Sequence, residues 1–205
     1  MVYSRTVQPE PIEARLASGG ILAAALEVFE RKGYAATRVE DILVAARVAR
    51  RTFYRQFKSK DDVLVALYGV AMGEILAAMH GVEDDEDPLR GVHRAIDVYL
   101  DYHTKNAATL RVLLGQAMRS DSPLAPMRRS FRAALVRLLA EVARARKKDV
   151  APLVFVALIS ALEGVSFELL DKGVTKADVA VARQTAHALL AKVLDVEGPP
   201  LPRAR

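Results

Sequence analysis

The chain has 205 residues, 52% of them hydrophobic, with 30 Lys or Arg against 25 Asp or Glu. That length can bury a full core and join a small domain to a larger one, so a bare nucleic-acid-binding module is excluded. The absence of Cys excludes disulfides, zinc ribbons and thiol chemistry, and it fits a reducing cytoplasm, where the protein is expected to work.

Met1 to Glu13 is polar with Pro9 and Pro11, so it reads as a flexible arm over residues 1–11 and not as a signal peptide. Helix 1 is expected from about Ile12 or Ser18 to Lys32, interrupted by Gly19-Gly20, where each Gly costs about 1 kcal/mol relative to Ala. Thr37 and Glu40 have the spacing of a capping box, which predicts a helix start at Thr37 and a second helix over Arg38 to Ala45. Ile42, Leu43 and Ala46 form its apolar side, and Ala46-Arg47-Val48 makes a turn. Helix 3 follows over Ala49 to Gln56, anchored by Phe53 and Phe57 at i, i+4. Helix 4 runs from about Lys60 to Met79. After an acidic loop from Gly81 to Asp87, Pro88 is placed as the first residue of helix 5, which reaches about Lys105.

Helix 6 spans roughly Ala108 to Met118, and Ser120-Asp121-Ser122-Pro123 breaks the chain before helix 7, about Leu124 to Arg146. Asp149 with Pro152 opens helix 8, which runs to about Lys172. Thr175 and Asp178 repeat the capping-box spacing at helix 9, ending near Leu194, and Gly198-Pro199-Pro200 leads a tail over 196–205 that is expected to be disordered. No alternating strand pattern interrupts these helices, so the fold class is all-α with about nine helices. The longest apolar run, Pro152 to Val165, contains Glu163 and is shorter than the ~20 residues of a bilayer span, so no membrane association is expected.

Charge is concentrated early in the chain. From Arg31 to Lys60 there are nine Lys or Arg against Glu40 and Asp41, whereas the whole chain carries a net charge of +5. A solvated basic face is the ordinary reading of such a stretch. Here, however, Lys and Arg for charge, Thr, Tyr and Gln for directional hydrogen bonds, and a short helix narrow enough for the major groove coincide within ten residues. Arg50, Arg51, Thr52 and Gln56 are candidates for reading base edges, and Thr37, Arg38, Tyr54, Lys58 and Lys60 for binding phosphates.

At these residues the sequence resembles the TetR family of one-component transcriptional regulators. The resemblance runs from Ile21-Leu22-Ala23 through Phe29-Glu30-Arg31-Lys32-Gly33-Tyr34, over Thr37-Arg38-Val39-Glu40-Asp41-Ile42, to Thr52-Phe53-Tyr54-Arg55-Gln56-Phe57-Lys58-Ser59-Lys60-Asp61. It covers about 50 of the 205 residues. It implies an N-terminal three-helix helix-turn-helix DNA-binding domain (1–60) joined to a larger helical effector-binding and dimerisation domain (61–195). It further implies a homodimer on a palindromic double-stranded operator and a helix 4 that moves as a lever when a small molecule binds. The sequence departs from the family where Arg47 replaces the usual turn Gly and Ala49 the usual Ser or Thr cap. Each change costs about 1 kcal/mol, the first because a non-Gly residue must take a positive φ. Gln56 also stands where His or Tyr is common.

The later helices supply the expected partner face. Phe155, Ile159, Leu162 and Ser166 on helix 8, with Val179, Ala182, Ala186 and Leu189 on helix 9, form broad apolar faces suited to a four-helix bundle between two subunits. A palindromic operator requires such a dimer, because one short recognition helix makes too few contacts. Polar or soft side chains on otherwise apolar faces mark an expected effector pocket: Tyr99, His103, Leu113, Gln116, Met127, Phe131, Phe155 and Glu163. Each reads first as a satisfied core or interface residue, and the arginines of helix 7 read first as a solvated face.

An enzyme finds little support. There is no Glu-x-x-His pair, no His-Glu-x-x-His, no phosphate loop and no Cys, and the four His are scattered at 80, 93, 103 and 187. No cofactor or metal is expected. The reading is a dimeric DNA-binding regulator, a repressor released by a small apolar effector. An architectural DNA binder that ignores metabolites shares the same reader, and an interior cavity in the C-terminal helices separates the two.

Overall fold

In the computed structural model, which describes residues 20–79, 87–172 and 175–194, nine α-helices and no strand form among those residues. They are α1 (Ile21–Lys32), α2 (Val39–Ala46), α3 (Arg50–Gln56), α4 (Lys60–Met79), α5 (Pro88–Lys105), α6 (Ala107–Ala117), α7 (Ala125–Ala145), α8 (Pro152–Lys172) and α9 (Lys176–Val193). The N-terminal arm, the expected start of helix 1 at Ile12 or Ser18, the loop from 81 to 86 and the tail over 196–205 lie outside the described residues.

Local chemistry explains most helix boundaries. At α5 the Asp87 carboxylate accepts from Leu89 N at 3.0 Å and Pro88 occupies the first turn, where its missing N–H costs nothing. At α9 Thr175 Oγ1 accepts from Asp178 N at 3.1 Å while the Asp178 carboxylate accepts from Thr175 N at 3.2 Å, a complete capping box. The start of α2 corrects the sequence expectation. Asp41, not Glu40, reaches back, accepting from Arg38 N at 2.8 Å, so Arg38 is the cap residue. Thr37 is buried, and its hydroxyl donates to Gly33 O at 2.7 Å, satisfying the end of α1 instead of the start of α2. Lys32 Nζ, 2.6 Å from the Asp41 carboxylate, holds Asp41 in that role and, with the Arg38 amide, keeps its pKa below the usual carboxylate range.

Two clusters form the core. The first gathers Phe29, Ile42, Phe53, Val63, Leu64 and Leu67 from the helix-turn-helix region and α4, and continues into Tyr102, Leu110, Leu113 and Leu170 of α5, α6 and α8. Polar ties follow the same route: Thr109 Oγ1 donates to Glu30 at 2.9 Å, linking α6 to α1. The second cluster, with Ile96, Leu100, Leu139, Phe155, Ile159 and Leu190, is built by α5, α7, α8 and α9.

α8 carries a longer apolar stretch than the sequence reading allowed. Pro152–Leu170 is long and apolar enough to cross a membrane by length and composition alone. In the fold it packs against α5, α6, α7 and α9. Its Glu163 is ion-paired to Arg128 at 2.7 Å, and 22% of the apolar stretch is buried within the chain.

Candidate nucleic-acid interface and ligand cavity

α3 is seven residues long and is held by its aromatics. Phe53 is fully buried and packs near Tyr54 and Phe57, with ring centroids 5.3 and 5.9 Å away. The turn before it requires Arg47 to adopt the left-handed region, φ 53 and ψ 40, at the position where the sequence lacks Gly. Ala49 caps α3 without a side-chain hydrogen bond. With Phe53 facing inward, the opposite side of α3 presents Arg51, Tyr54, Arg55 and Gln56 to solvent, and Lys58 is exposed just beyond its end. The side chains of Arg51, Arg55 and Lys58 are in no ion pair among the described residues, the Lys58 backbone N–H donates to the Asp62 carboxylate at 2.7 Å, and Arg38 is exposed at the start of α2.

Three of the remaining residues of the expected reader, Arg50, Thr37 and Lys60, are engaged elsewhere. Arg50 is ion-paired with Glu40 of α2 and lies 5.9 Å above the Tyr54 ring, so it braces the two helices across the turn. Thr52 is half-buried. Thr37 is spent inside the fold, as described above. Lys60 is not a free cation at the mouth of a groove. Its ammonium donates to the carbonyls of Tyr34 at 2.9 Å, Thr37 at 2.8 Å and Ala35 at 3.3 Å, and lies 4.6 Å from the Tyr34 ring centroid. Three protons therefore meet three carbonyls, and the first turn of α4 is riveted to the loop between α1 and α2. The Tyr34 hydroxyl, hydrogen-bonded to Asp61, doubles the attachment, and burial followed by the Asp61 contact raises its pKa. Sequence reasoning missed the Lys60 cradle, the Arg50–Glu40 brace and the exposure of Arg55; only the last has a local signal, in the position of Phe53.

A cavity open to solvent at its mouth lies among α4, α5, α6, α7, α8 and α9. Most of its wall is aliphatic, with Ile96, Leu135, Leu138, Leu162 and Leu189 among its lining. Tyr68 and Met72 bring α4 into the wall. Polar groups gather around Tyr68, Tyr99, His103 and Glu163. Glu163 faces Arg128 at 2.7 Å and Arg132 at 4.0 Å, and Arg132 also hydrogen-bonds Ser160. Burial, with the Glu163 charge second, pushes the Tyr68 hydroxyl up to about 12.

Of the eight residues expected to line an effector pocket, Tyr99, His103, Phe131 and Glu163 face this cavity. Leu113 does not: it is fully buried in the first core cluster, and its neighbour Leu114 lines the cavity instead. Met127 packs on that first cluster, Phe155 is fully buried in the second, and Gln116 is half-buried away from the lining.

The expected partner face also needs revision. Phe155, Ile159, Ser166, Ala182 and Ala186 are buried within the single chain, because α8 and α9 use that side for their own core. Leu162 and Leu189 line the cavity, and Val179 is half-buried. The apolar surface left outside is a different strip: Leu153, 76% exposed, with Val154, Ala157 and Ala161 on α8, and Val181, 49% exposed, on α9.

The model of the bacterial regulatory proteins of the tetR family matches residues 21–67. Among curated proteins, the HTH-type transcriptional regulator EthR of Mycolicibacterium smegmatis is 30% identical over 93 residues, 44% of this chain and 43% of that protein. The fatty acid metabolism regulator protein of Bacillus subtilis is 39% identical over 59 residues, 29% of this chain and 30% of that protein. The chain thus matches less than half the length of these relatives. Two solved structures extend the likeness in fold: the transcriptional regulator FadR from Bacillus subtilis in complex with stearoyl-CoA and a TetR-like transcriptional regulator from Rhodococcus. The first has a TM-score of 0.73 at 18% identity, covering 83% of this chain and 96% of that one. The second has a TM-score of 0.70 at 23% identity, covering 92% and 99%.

Proposed function

We propose that this chain, which belongs to the TetR family of bacterial regulatory proteins, is a cytoplasmic repressor that binds a palindromic operator as a homodimer and releases it when a small, largely apolar effector enters the cavity. Residues 1–60 act as the reader and 61–195 as the effector-binding and dimerisation part. Arg51, Thr52 and Gln56 read base edges; Arg38, Tyr54, Arg55 and Lys58 hold phosphates; Arg50 and Lys60 keep α3 and α4 in place. Leu153, Val154, Ala157, Ala161 and Val181 meet the partner subunit.

One observation carries the reading. The cavity reaches Tyr68 and Met72 on α4, and the first turn of that same helix is riveted through Lys60 to the loop that supports the reader. Lys60 and Tyr68 are eight residues apart, about 12 Å along one helix, so a ligand that displaces Tyr68 displaces the reader's anchor. An effector-independent architectural role gives such a cavity no task. The stearoyl-CoA bound to the Bacillus subtilis protein of similar fold supports an elongated apolar body for the effector.

The test is operator binding by fluorescence anisotropy with each compound that a thermal-shift screen shows to bind. Linkage requires effector and operator to weaken each other by the same factor, typically about 5- to 150-fold. A compound that binds the cavity and leaves operator affinity unchanged returns the architectural reading.

A further inference from the structure

α5 and α9 pack together and form one seam of the cavity wall. Val92, Ala95 and Ile96 of α5 and Ala182, Ala186 and Leu190 of α9 line it. The residues next to two of these, His93 after Val92 and His187 after Ala186, are half-buried and join the two helices directly. Their ring centroids are 4.6 Å apart with the planes 28° from parallel, and Nδ1 of one is hydrogen-bonded to Nδ1 of the other. Nε2 of His187 lies 2.8 Å from the Asp97 carboxylate of α5.

This chain of bonds fixes the protons. A carboxylate only accepts, so Nε2 of His187 carries a proton, and a neutral His187 then accepts at Nδ1 from the Nδ1–H of His93. One added proton, on Nε2 of His93, leaves every bond of the chain intact. A second has only Nδ1 of His187 to occupy, where N–H would face N–H.

Charge sets the same limit. Facing the pair are Asp97 and Asp101 from α5, Arg183 from α9, Asp87 from the cap of α5 and Arg146 from the end of α7. Arg183 lies 3.1 Å from Asp97 and 2.6 Å from Asp101, so these three leave one negative charge, which the first added proton balances. Asp87 is already paired with Arg146 at 2.8 Å, so a second proton finds no carboxylate to balance it. Burial, followed by the facing His187, holds the His93 pKa below the usual histidine range. The parted rings therefore take up protons more readily than the paired ones, and acid favours parting.

We propose that the His93–His187 pair is a proton-operated clasp on the cavity wall: it holds α5 against α9 near neutral pH, and protonation of both rings opens the seam and releases an apolar ligand. This rests on the effector-controlled reading above and makes retention of the effector depend on pH.

Hydrogen exchange of the full chain, read peptide by peptide and corrected for the intrinsic pH dependence of amide exchange, compares pH 7.5 with pH 5.0. Peptides from α5 and α9 are expected to exchange about tenfold faster at pH 5.0, well beyond any change in α1. His93→Gln, whose amide donates to Nδ1 of His187 without titrating, is expected to keep wild-type exchange at pH 7.5 and to lose the gain in acid. Circular dichroism checks the variant first; if it does not fold, His93→Asn takes its place, and if neither folds the wild-type comparison of α5 and α9 with α1 decides. Fluorescence titration with N-phenyl-1-naphthylamine, an uncharged apolar probe, is expected to show about tenfold weaker binding at pH 5.0 in the wild type and no such loss in the variant. Equal exchange at the two pH values, the same gain in acid for wild type and folded variant, or probe affinity unaffected by pH overturns the proposal. Operator release by an effector, measured at pH 7.5 where the clasp is closed, decides the effector-controlled reading separately.

Discussion

Replacing Lys60 by Met keeps the aliphatic stem and removes the ammonium that joins α4 to the loop over residues 34–37. Two of its three hydrogen bonds are short, 2.9 and 2.8 Å, and the third is marginal at 3.3 Å. Hydrogen bonds to a charged group contribute about 1.5–3 kcal/mol each when wholly buried, and the Tyr34 ring adds about 0.5–1 kcal/mol. Lys60 and the loop are only partly buried, so water replaces part of what is lost, and a net cost of about 2–3 kcal/mol is expected. At about 2–4 °C per kcal/mol for a chain of this size, Tm should fall by roughly 5–10 °C. The assay pairs a calorimetric melt with operator anisotropy between 50 and 200 mM salt. Because the protons of Lys60 are turned inward, the slope of log K against log salt should stay as in the wild type. A phosphate contact in each of two subunits would instead flatten it by about 1.8. A Tm within 2 °C of wild type together with a flattened slope would refute the rivet and make Lys60 a phosphate ligand.

Lys58→Ala should lower affinity for all DNA sequences alike and flatten the salt slope by nearly one unit per subunit, whereas Arg51→Ala should lose affinity mainly on the operator; equal losses on operator and random DNA for Arg51→Ala would remove it from base readout. Ala157→Arg or Leu153→Arg places a charge on the exposed strip of α8 without touching the core or the cavity, so sedimentation should show folded monomers; a stable dimer in both variants would place the interface elsewhere. His103 has its pKa lowered to about 4 by burial, against about 6.5 when unfolded. The unfolded state therefore gains a proton first as pH falls, and stability is lost from about pH 6.5 downward, by about 2 kcal/mol between pH 7.5 and 5. Urea titrations at the two pH values should show a smaller loss in His103→Phe, with a remainder from His93, whose pKa is also lowered, by burial and by the facing His187. An identical loss in wild type and variant would mean that His103 titrates normally.

How much of this was legible in the sequence depends on the distance over which a feature is decided. Asp87-Pro88, Thr175 with Asp178, and the positive φ demanded of Arg47 rest on neighbours within a few residues, and the chain places all three as read. The start of α2 was misread because two overlapping spacings, Thr37 to Glu40 and Arg38 to Asp41, offer similar caps. Lys32, nine residues before Asp41, favours the second through an ion pair that no local pattern announces. The Lys60 cradle spans 23 to 26 residues, and Arg50 finds Glu40 only once the turn has closed. On α6, one position is a rotation of about 100°, which puts Leu113 in the core and Leu114 on the cavity. α8 is apolar on several sides, so periodicity could not tell the side spent inside the chain from the side left over.

The first core cluster ignores the boundary at residue 60. Phe29, Ile42 and Phe53 share it with Tyr102, Leu110 and Leu113, and Thr109 is tied to Glu30. A regulator assembled by splicing another protein's reader onto this receiver at Ser59 would cut through packed side chains rather than through a linker. Such a hybrid should keep its cooperative melt only if the surface of α6 and the end of α5 travel with the new reader. Interchangeable modules are thus defined here by which side chains interlock, and the natural seam runs between the two clusters, through α5 between Leu100 and Tyr102, not between two stretches of sequence.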